Sequence, residues 1–301
     1  MTRPEHQAGV ADVDCSGLTA LVTGSTSGIG RETALALGRL GADVIVHGRD
    51  RAGGRAVVAE LEAAGATATF EPADFADVSA VESLAAAVDD WADDLDLLIN
   101  NAGGLFGEGR LTAIGVEYTF HVNHLAPYLL TAELLPTLAD DARIITTASA
   151  AHRGASLDLD AVESVADYSS FNAYQRSKLA NIQFTVELAR RLQQADRAIT
   201  ANAFHPGAIP GSGFTRFLPG PVSAVADLAG RLPFVPTPAD GAATAVYLAA
   251  SPRVEAVSGR YFADCEPTQP AAAARDRTAA RRLFVRSAEL LGIPVPLSAA
   301  D

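Results

Sequence analysis

Short apolar runs alternate with longer amphipathic stretches along most of the 301 residues. Residues 18–22, 44–46, 67–70, 95–99, 143–147 and 199–204 have strand length and are mostly apolar or β-branched. Regions 31–40, 52–64, 78–91, 111–136, 171–194 and 239–250 read as helices. Buried strands separated by helices predict a parallel sheet covered on both faces, an α/β architecture. No low-complexity linker or solenoid repeat interrupts the pattern, so one domain over 17–301 is expected. Residues 1–16 are polar and aperiodic, and the expectation for them is a loosely held tail.

The first strand leads into Thr23-Gly24-Ser25-Thr26-Ser27-Gly28-Ile29-Gly30, and a helix follows. Strand, glycine-rich turn and helix are the setting of a dinucleotide site. Glycines let the backbone turn tightly and approach a pyrophosphate, while free N–H groups at the helix start face the anion. Gly24, Ser27, Gly28, Ile29 and Gly30 are therefore cofactor candidates; the plain alternative is a turn without a ligand. The second strand ends in Gly48-Arg49-Asp50. NAD enzymes usually carry an acid near this point, whereas an Arg accommodates a 2′-phosphate. Arg49 thus favours NADP(H) over NAD(H), through two parallel charge-assisted bonds. Asp50 could instead pair with Arg49 or Arg51 in a solvated turn.

Tyr174 and Lys178, spaced four apart in a helical region, share one helix face with Cβ atoms about 5–6 Å apart. A phenol ordinarily ionises near pH 10, roughly, and an adjacent cation is expected to lower that value. The pair would then suit general acid–base catalysis. Alone, the same spacing also describes a solvated helix face.

Five features together resemble the short-chain dehydrogenase/reductase family. They are the loop 23–30, Asn100-Asn101-Ala102-Gly103, Ser149 after a strand, Tyr174-x-x-x-Lys178, and His205-Pro206-Gly207 after another strand. Their order and spacing extend the likeness from about residue 17 to residue 265. The resemblance implies a single-domain Rossmann fold, a doubly wound parallel sheet with helices on both faces. Stretches 122–131, 177–181, 258–265 and 280–284 look like its retinol-dehydrogenase-like branch, whose members interconvert varied carbonyl and alcohol pairs, often with NADP(H).

By that resemblance Tyr174 exchanges a proton with the substrate oxygen, and Lys178 lowers its pKa and bonds the nicotinamide ribose. Ser149 holds the carbonyl, and Asn123 supports a water in a relay near the lysine. Asn101, Ala102 and Gly103 line the cofactor near the adenosine ribose, Asp74 meets the adenine amine, and Pro206, Gly207 and Ile209 lie beside the nicotinamide. Each has a duller reading: Ser149 or Asp74 as caps, Asn123 as a packing amide. Strand alternation leaves Thr147 a rival to Ser149, since both fall on one face. His152 and His205 read as structural, because the Tyr/Lys pair already supplies proton transfer.

The chain also departs from the family pattern. Twenty-four residues separate Ser149 from Tyr174, longer than in the shortest members. Beyond Gly207, either Ser212 or Thr215 could meet the carboxamide. The Gly- and Pro-rich stretch 208–238 is expected to be a substrate lid, with Phe214, Phe217, Leu218 and Phe234 as an apolar wall.

Composition narrows the classes further. A formal net charge of −13 argues against nucleic acid as a partner. Cys15 and Cys265 suggest neither a disulfide framework nor a metal site, and the histidines are scattered. No apolar stretch reaches the roughly 20 residues of a bilayer span, so a cytoplasmic enzyme is expected. It would act on a small carbonyl or alcohol, partly apolar, and could pair with itself through the helices near 111–136 and 171–194. A catalytically silent dinucleotide-binding regulator of the same fold is the alternative. A nucleotide-sugar epimerase is disfavoured by the G-x-x-x-G-x-G spacing of Gly24, Gly28 and Gly30.

Overall fold

The computed structural model describes residues 3–207, 209 and 236–298. The apolar runs become β1 (Thr19–Val22), β2 (Asp43–His47), β3 (Ala68–Glu71), β4 (Leu95–Asn100), β5 (Leu138–Thr147) and β6 (Thr200–Phe204). With β7 (Tyr261–Ala263) and β8 (Glu266–Pro267) they form one sheet ordered β3-β2-β1-β4-β5-β6-β7-β8. Neighbouring strands are parallel except for β7 with β8. The first six follow the doubly wound order in which ligands bind beyond the carboxyl ends of the strands.

Single-residue alternation explains why both sheet faces are covered. Leu21, Ile45, Leu98 and Ile144 face one core, which contains α4 (Val78–Trp91), α6 (Ala126–Leu134), α7 (Ser170–Gln194) and α9 (Arg277–Leu291). Ala20, Val22, Val44, Val46 and Ile99 face the other, with α2 (Gly28–Arg39), α3 (Arg51–Ala63) and α8 (Pro238–Ala250). Each fully buried Leu or Ile contributes about 1.5–3 kcal/mol. An exposed pair such as Arg31–Glu60 adds about 0–1 kcal/mol. The two apolar layers, and not the surface ion pairs, hold the fold.

Two expectations need correction. The helix anticipated over 111–136 starts at α5 (Tyr118–Phe120), continues through a π-helical turn (His121–Leu125) and ends with α6. Before it, Leu111 bridges to Glu117, and the Glu117 carboxylate accepts the Thr119 and Phe120 N–H groups at 2.6 and 3.0 Å. That carboxylate sets the true start. Pro127 has no N–H to offer the Asn123 carbonyl four residues back, and there the ladder widens, with the Ala126 N–H bonding His121. Helix α9 and strand β7 lie outside the elements expected from the pattern.

The second correction concerns the N-terminal tail. Residues 3–16 are docked on the domain: α1 (Pro4–Gln7) packs against α8, and Ala8, Val10 and Cys15 join the core around α2. Glu5, 4% exposed, accepts from Arg39 Nε and Nη2 at 2.7 and 2.8 Å. Three small apolar residues are too few to show periodicity, yet they complete a surface that α2 and α8 supply. Hydrogen bonds to charged groups contribute about 1.5–3 kcal/mol. Glu5→Ala should therefore lower the unfolding free energy by about that amount in urea titrations; an unchanged midpoint would mean that the segment is not held.

Candidate active site

Strand β1 delivers the glycine loop to the carboxyl edge of the sheet. Gly24 has φ +65°, and a side chain there would meet the Ala102 backbone at 2.8 Å. A Cβ on Gly30 would collide with the Asn101 amide and the Gly24 carbonyl. Gly28, at φ +61°, faces open space. Thr23 stitches the loop to the next strand: its hydroxyl accepts the Asn101 and Ala102 N–H groups at 2.9 Å each and donates to the Ile99 carbonyl at 3.1 Å.

Helix starts differ in a telling way. Asp50, Asp77, Ser169, Thr237 and Asp276 cap α3, α4, α7, α8 and α9 through their side chains. Ser27, in the same position on α2, makes no such bond. The first turn of α2 is thus left for an anion, and the open space beside Gly28 matches a pyrophosphate. These residues fit a dinucleotide. Ile29 also approaches Ile209: a Cβ on Gly241 of α8 would lie 3.0–3.1 Å from both. Gly241, not singled out by any motif, therefore lets Ile29 and Ile209 pack against α8.

His47 escaped the sequence reading as well. It is buried, stacks on Phe75 at 4.5 Å, accepts the Gly24 N–H at Nδ1 (3.2 Å) and donates from Nε2 to Ala73 O (3.3 Å). Burial pushes its pKa down to about 4, which keeps Nδ1 free of a proton to receive Gly24. Beyond β2, Asp50 caps α3 instead of pairing with Arg49. The Arg49 guanidinium, 60% exposed, lies 3.7 Å from Asp74 and 3.4 Å from the Tyr118 hydroxyl. Asp74 also accepts the Ala76 N–H, so its capping role holds beside its contact with Arg49.

At the other end of the crevice, Ser149 follows β5 and Tyr174 and Lys178 lie on the first turns of α7. Ser149 faces the Tyr174 hydroxyl and acts to lower its pKa, and the Ser149 oxygen accepts the Ala151 N–H at 3.2 Å. Thr147, the rival, offers its carbonyl instead, receiving Lys178 Nζ at 3.0 Å and Asn181 Nδ2 at 3.2 Å. Asn123 exchanges two 2.9 Å bonds with Gly104 and donates to Ser177 at 3.0 Å. Gly103, at φ +150°, lies between them: a Cβ there would stand 2.7 Å from Asn123 and 3.6 Å from Lys178. Pro206 is half-buried and Gly207, at φ +78°, is exposed. Ser212, Thr215 and the aromatic residues of the expected lid lie outside the described residues.

One electrostatic expectation is reversed. Burial raises the Tyr174 pKa, with Ser149 only partly offsetting it. Desolvation pushes Lys178 down to about 8. Its nitrogen is 5.7 Å from the centre of the Tyr174 ring and spends a hydrogen on Thr147, so desolvation of both groups outweighs their attraction.

Elsewhere, a cleft of about 1200 Å³ opens at the amino-terminal edge of the sheet among Asp43, Asp94, Asp96 and Asp141. It lies on the side away from the glycine loop, where doubly wound sheets do not bind their ligands. No metal-holding cluster occurs among the described residues.

The family described as short chain dehydrogenase matches residues 18–217. The chain belongs to the short-chain dehydrogenase/reductase family. Retinol dehydrogenase 14 of Mus musculus is 37% identical over 97% of this chain and 91% of its own. Retinol dehydrogenase 12 of Homo sapiens is 36% identical over 94% and 89%. This short-chain dehydrogenase/reductase therefore falls in the retinol-dehydrogenase-like branch and is an oxidoreductase. Among solved structures, a short chain dehydrogenase from Burkholderia cenocepacia in complex with NADP superposes with a TM-score of 0.67 at 28% identity, covering 82% of this chain and 96% of that one. None of the described helices is long and apolar enough to cross a membrane.

The inverted electrostatics can be measured. The folded chain releases the Lys178 proton near pH 8 and an unfolded lysine near 10.5. In that window the unfolded state binds more protons, so this group's contribution to stability rises with pH. Relative to Lys178→Met, the parent should gain about 3 kcal/mol between pH 8 and 10.5 in cofactor-free urea titrations. A pH-independent difference would show that the ammonium is not desolvated.

Proposed function

We propose that this enzyme moves hydride between NADP(H) and a small carbonyl or alcohol substrate, with Tyr174 as the acid and base. The observation that carries the reading is the convergence of Ser149, Tyr174 and the buried Lys178 at the edge of the sheet where the glycine loop also ends. When bound, the nicotinamide supplies or takes up the hydride. Gly24, Ser27, Gly28, Ile29 and Gly30 receive the pyrophosphate, and Asn101, Ala102, Gly103, Pro206, Gly207 and Ile209 flank the rest of the cofactor.

In reduction, Ser149 donates to the carbonyl oxygen and aligns it with the Tyr174 hydroxyl. Tyr174 then delivers its proton to that oxygen. A phenol whose pKa is raised by burial is already protonated at neutral pH, which suits the reductive direction. Lys178 holds the ribose from the floor of the site, and Asn123 fixes the Gly104 backbone and the α7 face next to it. Arg49 takes the 2′-phosphate; its weak, exposed contact with Asp74 leaves it able to turn towards a stronger anion. The relative bound to NADP supports this preference. Both cysteines are free, as suits the reducing cytoplasm to which we assign the enzyme.

Tyr174→Phe should lower turnover by about 10²–10⁴-fold with little change in NADPH affinity. A broad panel of ketones and aldehydes, followed by loss of NADPH absorbance, tests this; near-parental rates in the variant would reject the acid/base role. In a separate measurement, Arg49→Ala should weaken NADPH binding at least about tenfold more than NADH binding. Equal losses would reject the phosphate clamp.

A further inference from the structure

Three ring side chains with no part in that proton transfer, His152, Tyr261 and His205, pack together next to Ser149. His152 is fully buried in the 3₁₀ turn Ala150–Gly154. Its Nδ1 lies 2.6 Å from the Ser149 carbonyl, and its Nε2 lies 3.0 Å from the Ala271 amide nitrogen. A carbonyl can only accept and an amide N–H can only donate. Nδ1 must therefore carry the proton and Nε2 must be bare. Burial lowers the His152 pKa, which favours this neutral form.

The tautomer then orders its neighbours. The Tyr261 hydroxyl is 3.5 Å from His152 Nδ1 and 2.8 Å from His205 Nδ1. Since His152 Nδ1 already bears hydrogen, His205 Nδ1 is the acceptor that remains for the buried Tyr261 hydroxyl. The rings reinforce the contact: His152 meets Tyr261 edge-on at 5.2 Å, and His205 stacks on it at 5.4 Å. His205 is in turn tied to β7 through Phe262 O at 3.1 Å. One chain of hydrogen bonds and ring contacts thus runs from Ala271 through the Ser149 loop to the residue preceding Pro206-Gly207.

We propose that His152, locked in its Nδ1–H tautomer, is a positioning residue that fixes the Ser149 backbone against the His205-Pro206-Gly207 segment, with Tyr261 as the cross-link. The proposal rests on Ser149 orienting the substrate, as argued above. It keeps serine and nicotinamide in register, where an error near 1 Å can cost about 10²-fold in rate.

The test combines tautomer and kinetics. In ¹⁵N-histidine-labelled protein, long-range ¹H–¹⁵N spectra should show the His152 proton on Nδ1 and the His205 proton on Nε2. His152→Phe should lower kcat by about ten- to hundredfold while NADPH Kd stays within about twofold. His152→Asn, whose amide can still donate to Ser149, should recover most of the loss. Ala271→Pro keeps φ (−57°) within the proline range but replaces the N–H by a ring methylene facing His152 Nε2; it should displace His152 and also lower kcat. Should His152→Phe fail to fold, Ala271→Pro and Tyr261→Phe carry the kinetic test. A proton on His152 Nε2, or parental kcat in the folded variants, overturns the proposal. If the parent itself turns over no carbonyl, the proposed reaction fails, and the spectra still decide whether the brace exists.

Discussion

Burying an ammonium nitrogen is costly unless a fixed acceptor meets it, and Lys178 meets one at the Thr147 carbonyl. Asn181, three residues further along α7, shares that acceptor. One carbonyl at the end of β5 therefore anchors the helix to the sheet. Tyr174 lies one turn before Lys178, and Ser149 lies two residues after Thr147. Helical and extended spacing, brought together at this point, place the phenol beside the serine side chain. The geometry proposed for catalysis is a consequence of the anchor.

A second constraint acts at the other end of the crevice. Thr23 and His47 spend their hydrogen-bonding groups on the backbone around Gly24, so the loop is shaped by residues that need not touch a ligand. Six other helices are closed by side-chain caps, whereas α2 keeps its first turn open. The anion site proposed there rests on a missing bond as much as on the glycines. Both ends depend on parallel strands, which bring every loop that matters to one edge.

Much of this was legible beforehand. The strands of the parallel sheet follow from runs of apolar residues, since a strand buried on two faces has little choice of composition. The glycine loop, Ser149, Tyr174 and Lys178 stood out because close backbone approach and proton transfer restrict residue type at fixed spacings. The N-terminal segment did not stand out: Ala8, Val10 and Cys15 are few and irregular, and their value comes from the α2 and α8 surface they cover. Helix α5 was placed too early because apolar spacing carries on where the Glu117 carboxylate ends the preceding turn.

Local chemistry, repeated along the chain, determined the strands, the glycine loop and the candidate reactive groups, because each depends on near neighbours. Folding decided the protonation behaviour of those groups. Tyr174 and Lys178 at four-residue spacing suggested a cation lowering a phenol's pKa, and burial reversed the shift, since desolvation depends on everything packed around them. The same holds for His152: nothing in its sequence neighbourhood specifies which nitrogen bears hydrogen, and an amide 119 residues away does.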